Sequence, residues 1–280
     1  MKELFDTVSN DCSKLVTEKY STSFSMAVNT LSPKIRTDIY NIYGFVRFAD
    51  EIVDTFHEYD KELLMTHFER DYYMGKEMGI SLNPILNSFQ QTVNRYNIPD
   101  EMIQAFLKSM KADLHKTVYE TKEEYDAYIY GSADVVGLMC LKVFVNGDDA
   151  KFEVLKDAAM RLGSAFQKVN FLRDLKDDYE VLNRSYFPNI DLGKLNTASK
   201  QLIIDEIKAD FDFAFTNGIL KLPVEAKFGV YMAYRYYRRL LTKLDSVPSE
   251  KIMDTRIRIS DPMKLNLLAR SYVKYKLKMI

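Results

Sequence analysis

The chain has 280 residues, of which 47% are hydrophobic, and its formal net charge is -1. This length is enough to bury a substantial core, and the near-neutral, apolar composition excludes a disordered chain and a global electrostatic attraction to nucleic acid. We expect one domain over residues 1–280. Its two cysteines, Cys12 and Cys140, have no partner at metal-ligand spacing, which is typical of a protein of the reducing cytoplasm.

Apolar residues recur at helical spacing almost throughout, and no segment alternates apolar and polar residues for long enough to indicate a sheet. The sequence therefore predicts an all-α fold. No run reaches about 18 uncharged apolar residues, so no membrane-spanning helix is expected. The predicted helices cover residues 5–20, 34–56, 60–78, 84–96, 100–117, 122–145, 150–181, 198–217, 223–245 and 261–277.

Two pairs of aspartates interrupt helices that otherwise have a buried pattern. They are Asp50 with Asp54 and Asp174 with Asp178. A four-residue spacing places both carboxylates of a pair on one helical face, where they repel each other. Because Mg²⁺ takes oxygen ligands from carboxylates, water and substrate phosphate, the pairs predict a diphosphate-binding metal site. For one isolated pair the alternative is a solvated acidic face.

The helix that carries the second pair has a polar stripe at positions usually occupied by core residues. The stripe consists of Gln167, Asn170, Asp174 and Asp178. An arginine lies just before the first aspartate of each pair, Arg47 in one helix and Arg173 in the other. These arginines could hold phosphate oxygens or orient the carboxylates, or they could form a salt bridge within the helix pair.

These motifs, with their flanks, resemble the head-to-head prenyl synthases, that is, phytoene and squalene synthases, and most of all the bacterial phytoene synthases. The resemblance spans nearly the whole chain, and two acidic signatures in the right order are far more specific than a lone D-x-x-x-D. It is carried by Ser21-Thr22-Ser23-Phe24, Arg36, Tyr43 to Asp50, Asp54, Tyr128 to Gly131, Val136 to Met139, Gln167 to Asp178, Arg184, Tyr186, Phe187, Pro188, Tyr237, Arg256 to Ser260 and Lys264.

The resemblance implies an isoprenoid-synthase helical bundle around a central apolar cavity, with the acidic helices facing each other near its mouth. It implies a Mg²⁺-dependent reaction, with Mn²⁺ as a possible substitute. Two geranylgeranyl diphosphates would give phytoene through a cyclopropyl diphosphate intermediate, in carotenoid biosynthesis. The alternatives are a squalene or dehydrosqualene synthase using farnesyl diphosphate, with NADPH needed only for squalene, and a non-catalytic lipid-binding or assembly protein of the same fold.

The resemblance also implies roles for individual residues. The catalytic set is Asp50, Asp54, Asn170, Asp174 and Asp178, which hold the metal, and Tyr128, which assists proton transfer at the leaving group. The substrate-binding set is Ser21, Ser23, Tyr43, Arg47, Gln167, Arg173, Arg184, Tyr186 and Tyr237. Taken without the resemblance, Ser21 and Ser23 are equally a helix cap, and Tyr128 is a core residue.

Three residues depart from the family pattern. Glu51 replaces a second aspartate, Tyr20 replaces a frequent histidine, and Asp134 replaces a small glycine. Near the cavity, Asp134 could reshape the pocket or bind a further cation. A carboxylate beside an apolar chain is tolerable only if it is paired, so as a cavity residue Asp134 should have a basic partner within salt-bridge reach and position the second diphosphate or the surrounding helices. The alternative is neutral variation at an exposed position.

The expected partners are prenyl diphosphates and no nucleic acid, in a monomer or weak homodimer. The basic, amphipathic run Lys274-Tyr275-Lys276-Leu277-Lys278 predicts peripheral contact with an anionic membrane.

Overall fold

The structure, a computed structural model, describes residues 1–180, 186–187, 196–252 and 257–278, without the side chains of 177–180 and 250. Helices account for most of these residues, and the described part of the chain contains no β-strand, so the all-α prediction is confirmed. The helices are α1 (Lys2–Tyr20), α2 (Thr22–Asn29), α3 (Pro33–Asp54), α4 (Lys61–Met78), α5 (Pro84–Tyr96), α6 (Asp100–Ala112), α7 (Lys122–Ile129), α8 (Val135–Phe144), α9 (Asp149–Glu180), α10 (Thr197–Asn217), α11 (Val224–Ser246), α12 (Ser249–Ile252) and α13 (Asp261–Lys276).

The differences between the predicted and observed helices include one missed short helix and one helix that ends early. Helix α2 was not predicted, because its eight residues are too few to establish a period and begin in a Ser-Thr-Ser run. The Ser21 hydroxyl accepts a hydrogen bond of 3.2 Å from the backbone N–H of Phe24 and so caps the helix. Helix α6 ends at Ala112, where a helix to residue 117 was predicted.

The predicted helix over 122–145 is not a continuous α-helix. A π-turn, Tyr130–Asp134, separates α7 from α8. Gly131 in this turn lies so close to α6 that a Cβ atom would be 2.8 Å from the Cβ of Ser109. Such widened turns occur most often as single insertions in α-helices, frequently at functional sites.

Helices α8 and α9 form the centre of the bundle and run antiparallel. Gly137 lies against the carbonyl of Ala159, and Gly163 lies against the carbonyl of Ala133, where a Cβ atom would approach to 3.0 and 2.8 Å respectively. The run Lys122–Phe144 is apolar and long enough to span a membrane by composition alone, but 61% of its apolar window is buried inside the molecule. Its hydrophobicity is explained by its place in the core.

Candidate active site

An apolar cavity of about 290 Å³ lies between α2, α3, α8, α9 and α11. Its wall on α9 extends from Leu155 to Gln167, twelve residues further along the helix. At 1.5 Å per residue this wall is about 18 Å long. The cavity is therefore long enough for an extended hydrocarbon chain.

The same helical stripes that line the cavity become polar at one end. On α3 the lining residues Ile39, Ile42 and Val46 are followed on the same face by Asp50 and Asp54. On α9 the lining residues Phe166 and Gln167 are followed in the same way by Asn170 and Asp174. Because these residues follow the 3.6-residue period, each stripe passes from apolar side chains to carboxylates along one face of a continuous helix. We call this the polar end of the cavity.

Arg47 neutralises the first acidic signature from within α3. Its guanidinium donates a hydrogen bond of 2.6 Å to Asp50 Oδ2 and also binds Glu51. The guanidinium also lies 4.5 Å from the ring centroid of Tyr20. Tyr20, which replaces the histidine frequent in the family, thus makes a cation–π contact with Arg47. Glu51 is buried and used as an arginine partner, whereas Asp50 is half-buried and lies at the polar end.

Arg173 has the same relationship to the second signature. Its Nε donates to Asp174 Oδ1 at 2.9 Å, and its Nη2 donates to Asp174 Oδ2. Burial by itself lowers the pKa of Arg173, but the hydrogen bonds to Asp174 and the negative charge of that carboxylate together outweigh burial and raise the pKa above its usual range. The first aspartate of each signature is therefore paired with an arginine of its own helix.

Two tyrosines lie beside the acidic helices near the polar end. Tyr237 donates a hydrogen bond of 3.3 Å to Asn170 Oδ1, and its ring stacks on Phe166. Tyr43 on α3 stacks on Phe24 of α2, and Arg47 and Asp50 lie on the same helix one and two turns further on. Burial raises the pKa of Tyr43 to about 12, so its phenol stays protonated at neutral pH.

The remaining predicted substrate residues lie at different distances from this centre. Gln167 lines the cavity at its polar end, and Ser21 caps α2. Ser23 is half-buried in the first turn of α2. The side chain of Asp178 and the whole of Arg184 lie outside the described residues.

Tyr128 lies in a buried aromatic cluster. Its hydroxyl donates a 2.8 Å hydrogen bond to Asp113 Oδ2, and its ring stacks on Tyr186 and Phe171. Burial, with the nearby charge of Asp113, holds the pKa of Tyr128 well above its ordinary value. Phe171 adjoins Asn170 on α9, so the cluster lies against the helix of the second acidic signature. Sequence reasoning missed Asp113, because its phenol partners lie in other segments.

The expected salt bridge to Asp134 is not present among the described residues. Asp134 is buried and accepts a 2.7 Å hydrogen bond from the hydroxyl of Ser164 on α9. The neighbouring cations, Arg161 and Lys168, bind Asp210 instead, at 2.7 and 2.8 Å. Burial raises the pKa of Asp134 to about 7.

Asp134 also does not face the hydrocarbon. It lies on a separate polar cleft between the π-turn, α9 and α10, whereas its neighbours Ser132 and Ala133 line the apolar cavity. Asp134 is therefore neither a residue of the apolar cavity nor an exposed surface residue, so neither of the two expected outcomes is met.

The donor set at the polar end fits a hard divalent cation. Asp50, Asp54, Asn170 and Asp174 offer only oxygen ligands from their carboxylates and amide carbonyl, as Mg²⁺ prefers. Within the described side chains no group of three or more His, Cys, Asp or Glu residues is close enough to hold an ion alone.

Comparison with known proteins identifies the family. The family model for squalene/phytoene synthase matches residues 17–262. The 15-cis-phytoene synthase of Pantoea ananas is 24% identical over 274 residues, which cover 89% of this chain and 86% of that protein. The 4,4'-diapophytoene synthase of Staphylococcus haemolyticus is 26% identical over 251 residues, covering 85% and 79% respectively. A solved dehydrosqualene synthase, in complex with a ligand, has a TM-score of 0.82 at 20% identity and covers 97% of this chain and 98% of that one.

An apolar cavity with an acidic, arginine-paired end has the chemistry that a prenyltransferase site needs, and the relatives of this chain are prenyltransferases. The chain belongs to the squalene/phytoene synthase family. This family condenses two prenyl diphosphates head to head.

Proposed function

We propose that the protein condenses two geranylgeranyl diphosphates to phytoene through a cyclopropyl diphosphate, with Mg²⁺, in carotenoid biosynthesis. One observation carries the proposal: the two helical stripes that line an apolar wall about 18 Å long end in two arginine-paired acidic signatures. Such a site holds a hydrocarbon chain and a diphosphate at opposite ends of one cavity.

The residues that would hold the metal are Asp50, Asp54, Asn170 and Asp174, together with Asp178. When bound, Mg²⁺ neutralises charge on the diphosphate and so stabilises its departure as a leaving group. Arg47 and Arg173 have planar guanidinium groups that bind carboxylate or phosphate oxygens equally well. They would therefore orient the first aspartates and contact the diphosphate from the same position.

The tyrosines at the polar end suit an intermediate that carries positive charge. Because burial raises the pKa of Tyr43 to about 12 and also raises that of Tyr237, both phenols remain neutral donors. A neutral phenol hydrogen-bonds a departing diphosphate but is a much weaker nucleophile than a phenolate toward an allylic cation. The apolar wall excludes the water that would otherwise quench that cation.

The longer substrate is supported by relatives named as phytoene synthases and by the length of the cavity wall. A second candidate is the condensation of two farnesyl diphosphates, which the likeness to a diapophytoene synthase and to a solved dehydrosqualene synthase favours. NADPH would be consumed only if the product were squalene.

The test is incubation of the purified protein with farnesyl or geranylgeranyl diphosphate, with and without NADPH, followed by identification of the hydrocarbon. We expect phytoene from the longer substrate, release of pyrophosphate, and loss of both with a chelator and their recovery with Mg²⁺ or Mn²⁺. A product from farnesyl diphosphate alone would contradict the chain length. No pyrophosphate from either substrate would favour a non-catalytic protein of the same fold.

A further inference from the structure

The polar cleft that contains Asp134 has a volume of about 430 Å³ and is bounded by α7, the π-turn, α9 and α10. Asp134 and Ser164 line it and are both buried. Their neighbours in sequence, Ser132, Ala133 and Gly163, line the apolar cavity instead. The polar cleft and the apolar cavity therefore lie on opposite sides of one wall, and they have no lining residue in common.

Asp134 is a buried carboxylate with one oxygen left for a ligand. Only 7% of the residue is exposed, and its Oδ1 accepts the 2.7 Å hydrogen bond from the Ser164 hydroxyl. Among the described residues no donor reaches its Oδ2. Because a buried acceptor without a partner is costly, a donor from solution would bind favourably at this oxygen.

The cations of the polar cleft are already engaged by other carboxylates. The salt bridges join Lys168 to Glu206 and Asp210, Arg161 to Asp210, and Lys122 to Asp126. A further acid, Asp157, is exposed on α9 one turn before Arg161. The negative charges thus outnumber the positive ones whether or not Asp134 is ionised, so the polar cleft attracts a cation rather than an anion.

The polar cleft also has an apolar side, formed by Ile129 on α7, Met160 on α9 and Phe213 on α10. A bare metal ion would make no use of this surface. Within the described side chains, moreover, no group of three or more His, Cys, Asp or Glu residues is placed to hold such an ion. A cation with a short hydrocarbon chain would bury that chain against the apolar side while its charge meets a carboxylate.

We propose that the polar cleft is a binding site for a small primary alkylammonium ion. The ammonium group donates to Asp134 Oδ2 and to a lone pair of the Ser164 hydroxyl, which itself donates to Asp134 Oδ1. The alkyl chain packs on Met160 and Phe213. The ligand thus supplies the counter-ion that Asp134 lacks within the described protein, at a site separate from the polar end of the apolar cavity.

Binding should depend on pH through Asp134. Burial raises the pKa of Asp134 to about 7, although the hydrogen bond from Ser164 and the charges of Lys168 and Arg161 oppose this shift. An ammonium ion binds the ionised carboxylate, and an alkylamine stays protonated at neutral pH as lysine does. Affinity should therefore increase roughly tenfold between about pH 6 and about pH 8.

The test is isothermal titration of the full-length protein with n-butylammonium chloride, at constant ionic strength set with sodium chloride. We expect saturable binding at pH 8, a higher melting temperature in the presence of the amine, and weaker binding at pH 6. Asp134→Asn should lower the affinity roughly tenfold or more, because it removes the charge that the ammonium group meets. Ser164→Ala should lower the affinity by a smaller factor, since one acceptor is lost.

The matched control is Asp126→Asn, which removes a carboxylate of the same polar cleft whose side chain is 52% exposed. It should bind the amine within about twofold of the unchanged protein, because an exposed charge is screened by salt. Butan-1-ol, which has the same chain without the charge, should not bind. Circular dichroism should confirm that every variant folds.

Three results would overturn the proposal: no saturable binding at pH 8, equal binding of butan-1-ol, or unchanged affinity in Asp134→Asn. If Asp134→Asn does not fold, Ser164→Ala and the pH dependence of the unchanged protein decide in its place. In that case an affinity that neither of them alters would likewise refute the site. None of these measurements uses a prenyl diphosphate, so their outcome is separate from that of the proposed reaction.

Discussion

The phenol of Tyr128 and the carboxylate of Asp113 form a buried hydrogen bond of 2.8 Å, and Tyr119 donates to the other oxygen of the same carboxylate at 3.2 Å. The resemblance to prenyl synthases predicts a catalytic role for Tyr128, whereas this contact gives its hydroxyl a structural task. The two tyrosines offer a matched pair with which to separate these roles.

Tyr128→Phe should destabilise the fold by about 1–3 kcal/mol, because the buried Asp113 loses a donor. Tyr119→Phe removes the second donor to the same carboxylate and should lower the free energy of unfolding by a similar amount. If Tyr128 assists proton transfer, only Tyr128→Phe should slow product formation and accumulate the cyclopropyl diphosphate. Thermal unfolding and product analysis of both variants measure this, and equal effects on both readouts would assign Tyr128 to the core.

Asp50→Asn and Asp174→Asn should each lower turnover at least 100-fold, which corresponds to roughly 3 kcal/mol of lost transition-state stabilisation. Each removes one charged oxygen from the site proposed to hold the metal and loosens the arginine beside it. Asp157→Asn, an exposed position on the same helix as Asp174, serves as control. Near-normal turnover in a folded Asp50 or Asp174 variant would contradict the proposed metal site.

Asp134 should make stability depend on pH. Since its pKa is about 7 in the folded protein and 3.8 without burial, the folded state holds the proton more tightly. Stability should therefore fall as pH rises from about 4 to about 7, by at most about 4 kcal/mol.

Asp134→Asn removes this dependence. We expect the variant to melt at a higher temperature than the unchanged protein at pH 8, and the advantage to vanish near pH 4. Asp126→Asn, an exposed residue of the same polar cleft, should show no such difference. Parallel melting curves for Asp134→Asn and the unchanged protein at every pH would show that the buried carboxylate does not titrate in this range.

Gly131→Ala should destabilise the protein by about 1–3 kcal/mol, because the new methyl would meet Ser109 and the carbonyl of Ala105 on α6. Gly79→Ala is unsuitable as a control, since Gly79 has a positive φ of 73°. Ser132→Ala, at the next residue of the π-turn, is a better one. Denaturant unfolding of the two variants should show a clear loss only for Gly131→Ala.

The sequence predicted those arrangements of residues that are determined within a single helix. Residues 50 and 54 share a face of α3, and 170 and 174 share a face of α9, because a 3.6-residue period determines both arrangements. The arginine beside each first aspartate was visible for the same reason. An interaction within one turn can be worked out from spacing alone.

Most of what the sequence did not predict depends on contacts between different helices and loops. The π-turn follows from the packing of Gly131 against α6, and the Ser164 partner of Asp134 lies 30 residues away. Asp113 receives its phenols from a loop and from α7. Helix α2 was missed because eight residues do not establish a helical period.

The π-turn determines which side of α8 faces the apolar cavity. It holds one residue more than a regular helical turn would need, and each residue of an α-helix advances the side-chain direction by about 100°. Deleting one residue from 130–134 would restore regular helical hydrogen bonding but rotate all of α8 by that angle relative to α7. Gly137 would turn away from Ala159, and Val136 and Cys140 would leave the cavity wall. The length of this turn thus sets the rotation of α8 about its own axis. A single-residue deletion here would damage the cavity more than many substitutions within it.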